Sequence, residues 1–307
     1  MPGGDAVVAE HLAKRYPGGV WGVRDASLRA GRGSITVLLG PNGAGKTTTV
    51  GMLSTILRPT RGRGLVLGLD VVADAWRVRR LVALMPQECR IDLNWTPYEM
   101  VKWYLVVRGM SLHDASLQAR RWLERLGLWE CRSTPGWRLS GGQRRKAIAA
   151  AVLASEAPVV FLDEPTAELD VESKYTIWGA VRAAASEGRT VILTTHDMRE
   201  AELLADHVVL MVDGRTVVED SPENLIASLG YRYRVVLWGA AEPPAGNCMS
   251  VSGTLLCYAS TWSEAASIAR SANASKVVVE EVGLEDVYIR YASPRGGSSR
   301  LSAQPGS

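Results

Sequence analysis

The chain has 307 residues, 47% of them hydrophobic and 22% charged, with mean hydropathy near zero. That leaves room for one large or two modest domains with a substantial core, and it excludes a disordered polymer. A formal net charge of +3 and a pI near 8.7 are too mild to argue for nucleic acid as a partner.

Four cysteines (Cys89, Cys131, Cys248 and Cys257) form neither a C-x-x-C pair nor a Cys/His cluster, so the expectation is reduced thiols and no zinc site. The longest apolar stretch, Ala147 to Ser155, is far short of the ~20 residues a spanning helix needs. The first residues carry Asp5 and Glu10 before any apolar run, unlike a signal peptide. The expectation is a soluble, cytoplasmic protein.

Strands and turns are expected over residues 5 to 39, with Ala6-Val7-Val8 and Ser27-Leu28-Arg29 on either side of a Pro-Gly-Gly turn. Ile35 to Leu39 reads as a fully buried strand running into a glycine loop, with a helix starting at Lys46. Val82 to Met85 reads as another strand, stopped by Pro86. From about Cys89 to Ser155 the pattern is helical. Thr96-Pro97-Tyr98-Glu99 has the cap, first-turn proline and glutamate of a helix start, and Ser111 caps the next helix. This block has more Arg and Lys than Asp and Glu, which reads as a solvated basic face or a docking face.

Strands return at Val159–Leu162, Thr190–Thr195 and Val208–Val212, with a helix over Lys174–Ser186. The fold class expected is therefore α/β: a mainly parallel sheet covered on both faces, with an antiparallel β portion and a helical subdomain over about 88–155. Ser221-Pro222-Glu223 caps a helix ending at Gly230. A small α+β unit follows over 231–292, with strands near Tyr233–Trp238, Leu255–Ala259 and Lys276–Glu280 and a helix from Thr261-Trp262-Ser263-Glu264. Residues 293–307, rich in Ser, Gly, Pro and Arg, read as a disordered tail.

Gly40-Pro41-Asn42-Gly43-Ala44-Gly45-Lys46-Thr47, followed by Thr48, is a phosphate loop. Its glycines let backbone N–H groups curl around phosphate oxygens, Lys46 supplies a point charge, and the Thr47 hydroxyl is placed for Mg²⁺. Val159 to Glu164 delivers two carboxylates to a strand's C-terminal edge, where ligands of open α/β sheets bind. Asp163 is suited to hold Mg²⁺, directly or through a water, and Glu164 to polarise an attacking water; the alternative is a pair of surface acids. His196 ends a strand at the same edge, in reach of a γ-phosphate. Gln87, at another strand end, is placed for both Mg²⁺ and the attacking water. Tyr16 either stacks on a purine ring or is a half-buried strand tyrosine.

In Leu139-Ser140-Gly141-Gly142-Gln143, Ser140 is a strong N-cap, and the two glycines expose the first N–H groups of a helix as an outward-facing anion site. The chain's own phosphate loop already has a helix N-terminus, so a second chain would supply the ATP for this one. There is no Asn-Lys-x-Asp guanine-reading motif.

The order of phosphate loop, Gln87, Leu139 to Gln143, Val159 to Glu164, Asp170 and His196 resembles the nucleotide-binding subunit of an ABC transporter, over roughly residues 5 to 230. The resemblance implies a head-to-tail homodimer or heterodimer sandwiching two ATPs, each between one chain's Gly40–Thr48 and the other's Ser140, Gly141, Gly142 and Gln143. It further implies Tyr16 on the adenine, Gln87 on Mg²⁺, Glu164 as base, His196 on the γ-phosphate and Asp170 bridging the two sites. An ATPase, a separate integral membrane permease and a peripheral place on the inner membrane face are implied with it. Glu168 departs from the small residue common at that position. The C-terminal stretch Gly283 to Arg290 resembles the tail of single-cassette exporter ATPases for drugs, lipids or ions. The alternative is a soluble ABC-type ATPase acting on ribosomes or nucleic acid.

Overall fold

The computed structural model describes residues 4–88, 92–240, 243–244 and 247–292. The expected tail over 293–307 and Cys89 lie outside the described residues. The chain divides into two compact units, one up to Asp220 and one from Ser221 onward.

The first unit runs β1 (Asp5–Arg15), β2 (Trp21–Gly31), β3 (Ile35–Leu39), α1 (Lys46–Leu53), β4 (Arg61–Val66), β5 (Leu69–Asp70), α2 (Ala75–Leu81) and β6 (Val82–Met85). It continues through α3 (Pro97–Val107), α4 (Leu112–Arg125), α5 (Gly141–Ala154), β7 (Val159–Asp163), α6 (Val171–Ser186), β8 (Thr190–Thr195), α7 (Met198–Leu204), β9 (His207–Val212) and β10 (Arg215–Asp220). Its ten strands form one sheet in the order β5-β4-β1-β2-β10-β9-β3-β8-β7-β6. The run β9-β3-β8-β7-β6 is parallel, and β10 on β9 and the β2-β1-β4-β5 portion are antiparallel.

Strands β3, β7 and β8 are buried at every position, as parallel strands covered on both faces must be. Leu12, Val23, Leu28, Val50, Leu53, Phe161 and Met211 belong to one core cluster spanning the antiparallel strands, α1 and the parallel strands. The helices α3, α4 and α5 pack on one another. Both expected caps of this subdomain form: Thr96 and Glu99 make a reciprocal capping box, and Ser111 accepts from the Asp114 amide.

Several elements lacked a readable pattern. Strand β4 begins Arg-Gly-Arg-Gly and β10 alternates only weakly, so neither stood out, and α2 is seven residues long. Helix α6 starts three residues before the expected Lys174, because Asp170 caps it. The basic helical block is not simply a solvated face. Glu187 accepts from Arg121, Arg125 and Arg189, and the guanidinium carbons of Arg125 and Arg189 lie 4.9 and 5.0 Å from the ring centre of buried Trp122.

The second unit comprises α8 (Pro222–Ala227), β11 (Tyr233–Trp238), β12 (Asn247–Val251), β13 (Thr254–Ala259), α9 (Trp262–Ser271), β14 (Lys276–Glu281) and α10 (Leu284–Ala292). Its sheet, ordered β12-β13-β11-β14, is antiparallel throughout. Val235, Leu237 and Cys257 pack with Ala265 and Ile268 of α9, and Val236, Leu256 and Tyr258 form a separate cluster with Ile289 of α10. The expectation of reduced thiols fails here. Cys248 and Cys257 face each other across β12 and β13, 4.0 Å apart at Cα, and form a disulfide. Strand register brought together two residues whose sequence spacing carried no signal. Cys131 is a free thiol.

Helix α10 is pinned by the buried Asp286. Its carboxylate accepts from Tyr258 Oη at 2.9 Å, Arg234 Nη1 at 3.0 Å and the Gly283 amide at 3.0 Å. Burial, and then the Asp286 charge, hold the Tyr258 phenol well above its ordinary range. Replacing Asp286 with Ala removes the acceptor of the buried Tyr258 phenol, the Gly283 amide and one edge of Arg234, which keeps Glu280 and Glu285, and should destabilise this unit by about 2 kcal/mol in urea denaturation.

Candidate functional site

Four neighbouring parallel strands end at one edge. Leu39 of β3 pairs with Thr195 of β8, Asp163 of β7 with Thr194, and Met85 of β6 with Leu162. The residues just past those ends are the phosphate loop, His196, Glu164 and Gln87, so register alone gathers four separated motifs.

The loop itself is set by close backbone approaches. A Cβ on Gly40 would stand 2.3 Å from the Met211 carbonyl, and one on Gly45, at φ 98°, 2.7 Å from the Gly22 carbonyl. Glycine is the residue that fits either position. Ala44 is buried, whereas Asn42, Gly43 and Thr47 are exposed. No side chain caps α1, which leaves its first-turn amides for an anion. Lys46 is 4% exposed. Its Nζ donates to the Gly40 and Pro41 carbonyls at 2.8 and 3.0 Å and lies 3.5 Å from Glu164 Oε1. Burial pulls this ammonium below its ordinary value, and the Glu164 carboxylate opposes the shift. A buried cation ringed by carbonyls and open amides suits a polyanion.

Oxygen donors cluster beside it. The Thr47 hydroxyl donates to Asp163 Oδ1 at 3.2 Å and to Gln87 Oε1 at 3.4 Å, and the Thr194 hydroxyl donates to Asp163 Oδ1 at 2.5 Å. This is an all-oxygen set suited to a hard divalent cation. Burial pushes the Asp163 carboxyl up, against the hydroxyls of Thr194 and Thr47. Glu164 is 6% exposed and bridges the site: Oε1 faces Lys46, and Oε2 lies 3.4 Å from His196 Nδ1. Its backbone is left-handed, at φ 48°. The half-buried Tyr16 reaches the same loop, its hydroxyl 3.2 Å from Thr48 Oγ1.

The second group of expected residues assembles elsewhere on the chain. Ser140 Oγ accepts from the Gln143 amide at 3.1 Å, and Gln143 Oε1 accepts from the Ser140 amide at 2.9 Å, so the two cap α5 reciprocally. Gly141 faces open space, and a Cβ on Gly142 would meet Leu169 at 3.3 Å. Asp170 caps α6 by accepting from the Ser173 amide, and this bond lowers its carboxyl. The Gly136 and Trp137 amides, just ahead of Ser140, donate to the Trp95 and Leu93 carbonyls, so the loop beyond Gln87 is tied to this helix start.

Sequence reasoning missed two residues that hold Glu164. Thr194 accepts from the Glu164 amide at 2.9 Å, and Arg145 of α5 donates to the Glu164 and Pro165 carbonyls. Thr194 is hidden in an apolar strand, and an arginine two residues beyond Gln143 carries no pattern of its own.

The family described as ABC transporter matches residues 23–167. The chain is 37% identical over 238 residues to the daunorubicin resistance ATP-binding protein DrrA3 of Streptomyces coeruleorubidus, covering 77% of this chain and 75% of that protein. It is 36% identical over 231 residues to the phospholipid-transporting ATPase ABCA3 of Rattus norvegicus, covering 74% of this chain but 14% of that protein. Among solved structures it is similar to cbiO1 from Clostridium perfringens, described as part of the ABC transporter complex cbiONQ. That match has a TM-score of 0.66 at 28% identity and covers 73% of this chain and 91% of that one.

The raised Asp163 carboxyl gives a signed prediction. Its ionised form is disfavoured by folding, so ionisation costs stability. The cost is absent below the ordinary carboxylate range and complete above the raised value. Asp163→Asn keeps an acceptor for Thr194 and Thr47 without the charge. Without nucleotide or divalent cation it should melt higher than the parent at pH 8, with the gap closing as pH falls through the raised value toward the ordinary carboxylate range. Its ATP turnover should fall sharply.

Proposed function

Because the chain belongs to the family of ABC transporter ATP-binding proteins, and is an ATPase cassette of that family, we propose that it works in head-to-tail pairs. Two ATPs lie between the subunits and power export through a separate integral membrane permease. The observation that carries the reading is the division of the site residues. The carboxylates, Lys46 and His196 gather at the α1 N-terminus, whereas Ser140 and Gly141 belong to a second helix N-terminus, on α5, where Gly141 faces open space. A pair of chains unites the two halves.

In each half-site the phosphate loop and the α1 amides bind the phosphates, with Lys46 set against the β- and γ-oxygens. Thr47, Asp163 and Gln87 would hold Mg²⁺, which when bound neutralises developing phosphate charge. Glu164 takes a proton from the attacking water. Its 3.5 Å approach to Lys46 keeps both charges paired until a phosphate replaces the carboxylate at the ammonium. His196, 51% exposed at its side chain, borders Glu164 from the open side and is placed to donate to the γ-phosphate. Tyr16 stacks on the adenine, and Ser140, Gly141, Gly142 and Gln143 reach the γ-phosphate of the partner's ATP. Asp170, whose neighbour Leu169 and capping partner Ser173 approach Gly142, bridges the two sites.

The permease and the outward direction draw support from similarity. DrrA3 is named for drug resistance, and the Clostridium chain is described as part of a transporter complex. Among the described residues no helix is long and apolar enough to cross a membrane. In this reading the path belongs to another subunit and this chain sits peripherally on the inner membrane face. An ATPase directed at ribosomes or nucleic acid is not favoured, given the mild charge and the transport named for ABCA3 and the Clostridium complex.

Glu164→Gln should lower turnover at least a hundredfold, within the ~10²–10⁴ of a positioned base, while ATP still binds. It should elute as an ATP-dependent dimer in size-exclusion chromatography. Near-parental turnover would remove Glu164 as the base. Lys46→Ala should instead weaken ATP binding itself by about tenfold or more. Affinity capture from gently solubilised membranes should recover an integral membrane protein, and its absence counts against the permease.

A further inference from the structure

Glu200 lies in the first turn of α7, fully buried at 0% exposure. Its Oε1 accepts two hydrogen bonds of 2.7 Å, from Thr166 Oγ1 and from Trp178 Nε1. Its Oε2 is buried with no hydrogen-bond partner. An acid in such a place is costly unless it holds something an apolar side chain cannot.

What it holds is the loop between Glu164 and Asp170. That loop is two linked turns, closed by the Ala167 amide on the Glu164 carbonyl and the Leu169 amide on the Thr166 carbonyl, both at 3.3 Å. Two of its non-glycine residues are left-handed, Glu164 at φ 48° and Glu168 at φ 63°. Such backbone persists only where its surroundings over-determine it. Thr194 and Arg145 fix the Glu164 end. Thr166, 3% exposed, fixes the middle through Glu200. The other donor, Trp178, sits on α6, the helix capped by Asp170, and α7 itself follows His196. Lys174 to Asp197, at 2.8 Å, is a second tie between the same two helices. The segments bearing Glu164, Asp170 and His196 thus converge on a single carboxylate oxygen.

We propose that Glu200 is a positioning residue for ATP hydrolysis, acting through Thr166 to hold the Glu164 carboxylate between Lys46 and His196. It works as a hydrogen-bond acceptor and not through its charge. The inference rests on the assignment of Glu164 as the base.

Because Glu200→Ala leaves two buried donors unpaired and risks unfolding, Thr166→Val carries the test. It removes one hydroxyl at nearly constant volume in the full-length chain. Steady-state ATPase assays should show kcat reduced about tenfold, with KM and the calorimetric Kd for ATP within twofold of the parent. Thr166→Ser should restore kcat, and Glu200→Gln, which keeps an acceptor oxygen for both donors, should retain it within about threefold. The proposal is overturned if Thr166→Val keeps kcat within twofold, if its Kd weakens in step with kcat, or if Thr166→Ser fails to rescue. It is also overturned if Glu200→Gln is as impaired as Thr166→Val. An active Glu164→Gln would refute the base assignment itself, whereas an inactive one beside a fully active Thr166→Val refutes only the role of Glu200.

Discussion

The register of the parallel strands β3, β8, β7 and β6 is the constraint on which the site depends. Hydrogen bonding aligns the four C-terminal ends, and each strand then releases one functional segment at the same edge. A slip of one residue in β7 would turn Asp163 to the opposite face and separate it from Thr47. Burial at every position of β3, β7 and β8 defends the register, since any slip would break the fit of fully enclosed side chains on both faces.

The same edge concentrates charge that folding alone does not favour. Lys46, Asp163 and Glu164 are each almost fully enclosed, and burial shifts Lys46 and Asp163 toward their neutral forms. Buried ion pairs of this kind seldom stabilise a fold by themselves. The arrangement suits a ligand that carries charge of its own, and the left-handed backbone at Glu164 adds a further local cost at the candidate site.

Much of this was legible in the sequence because the motifs are local and ordered. The loop Gly40 to Thr48, the Val159 to Leu162 strand with its two following carboxylates and the Ser140 cap each announce their own conformation, and β3, β6, β8 and β11 begin and end where the pattern sets them. What escaped was non-local. Thr194, Arg145 and Glu200 act on residues between 19 and 34 positions away, and nothing in their own neighbourhoods marks them. The Cys248–Cys257 bond escaped for the same reason: it follows from the pairing of β12 with β13, and β12 was not itself apparent. Strand β4, with two glycines among arginines, owes its place to pairing with β1 and not to its own propensity.

Gly136 bears on how this sequence can vary. A Cβ there would press to 3.2 Å against the backbone of Leu93 and Trp95, two main chains that hydrogen-bond directly across the gap. Neither side can yield as a flexible side chain would. In a survey of random substitutions, position 136 should therefore tolerate larger residues poorly. An enlarged residue would push apart the loop beyond Gln87 and the turn leading into Ser140, so a lesion at this one buried turn would displace two segments at once.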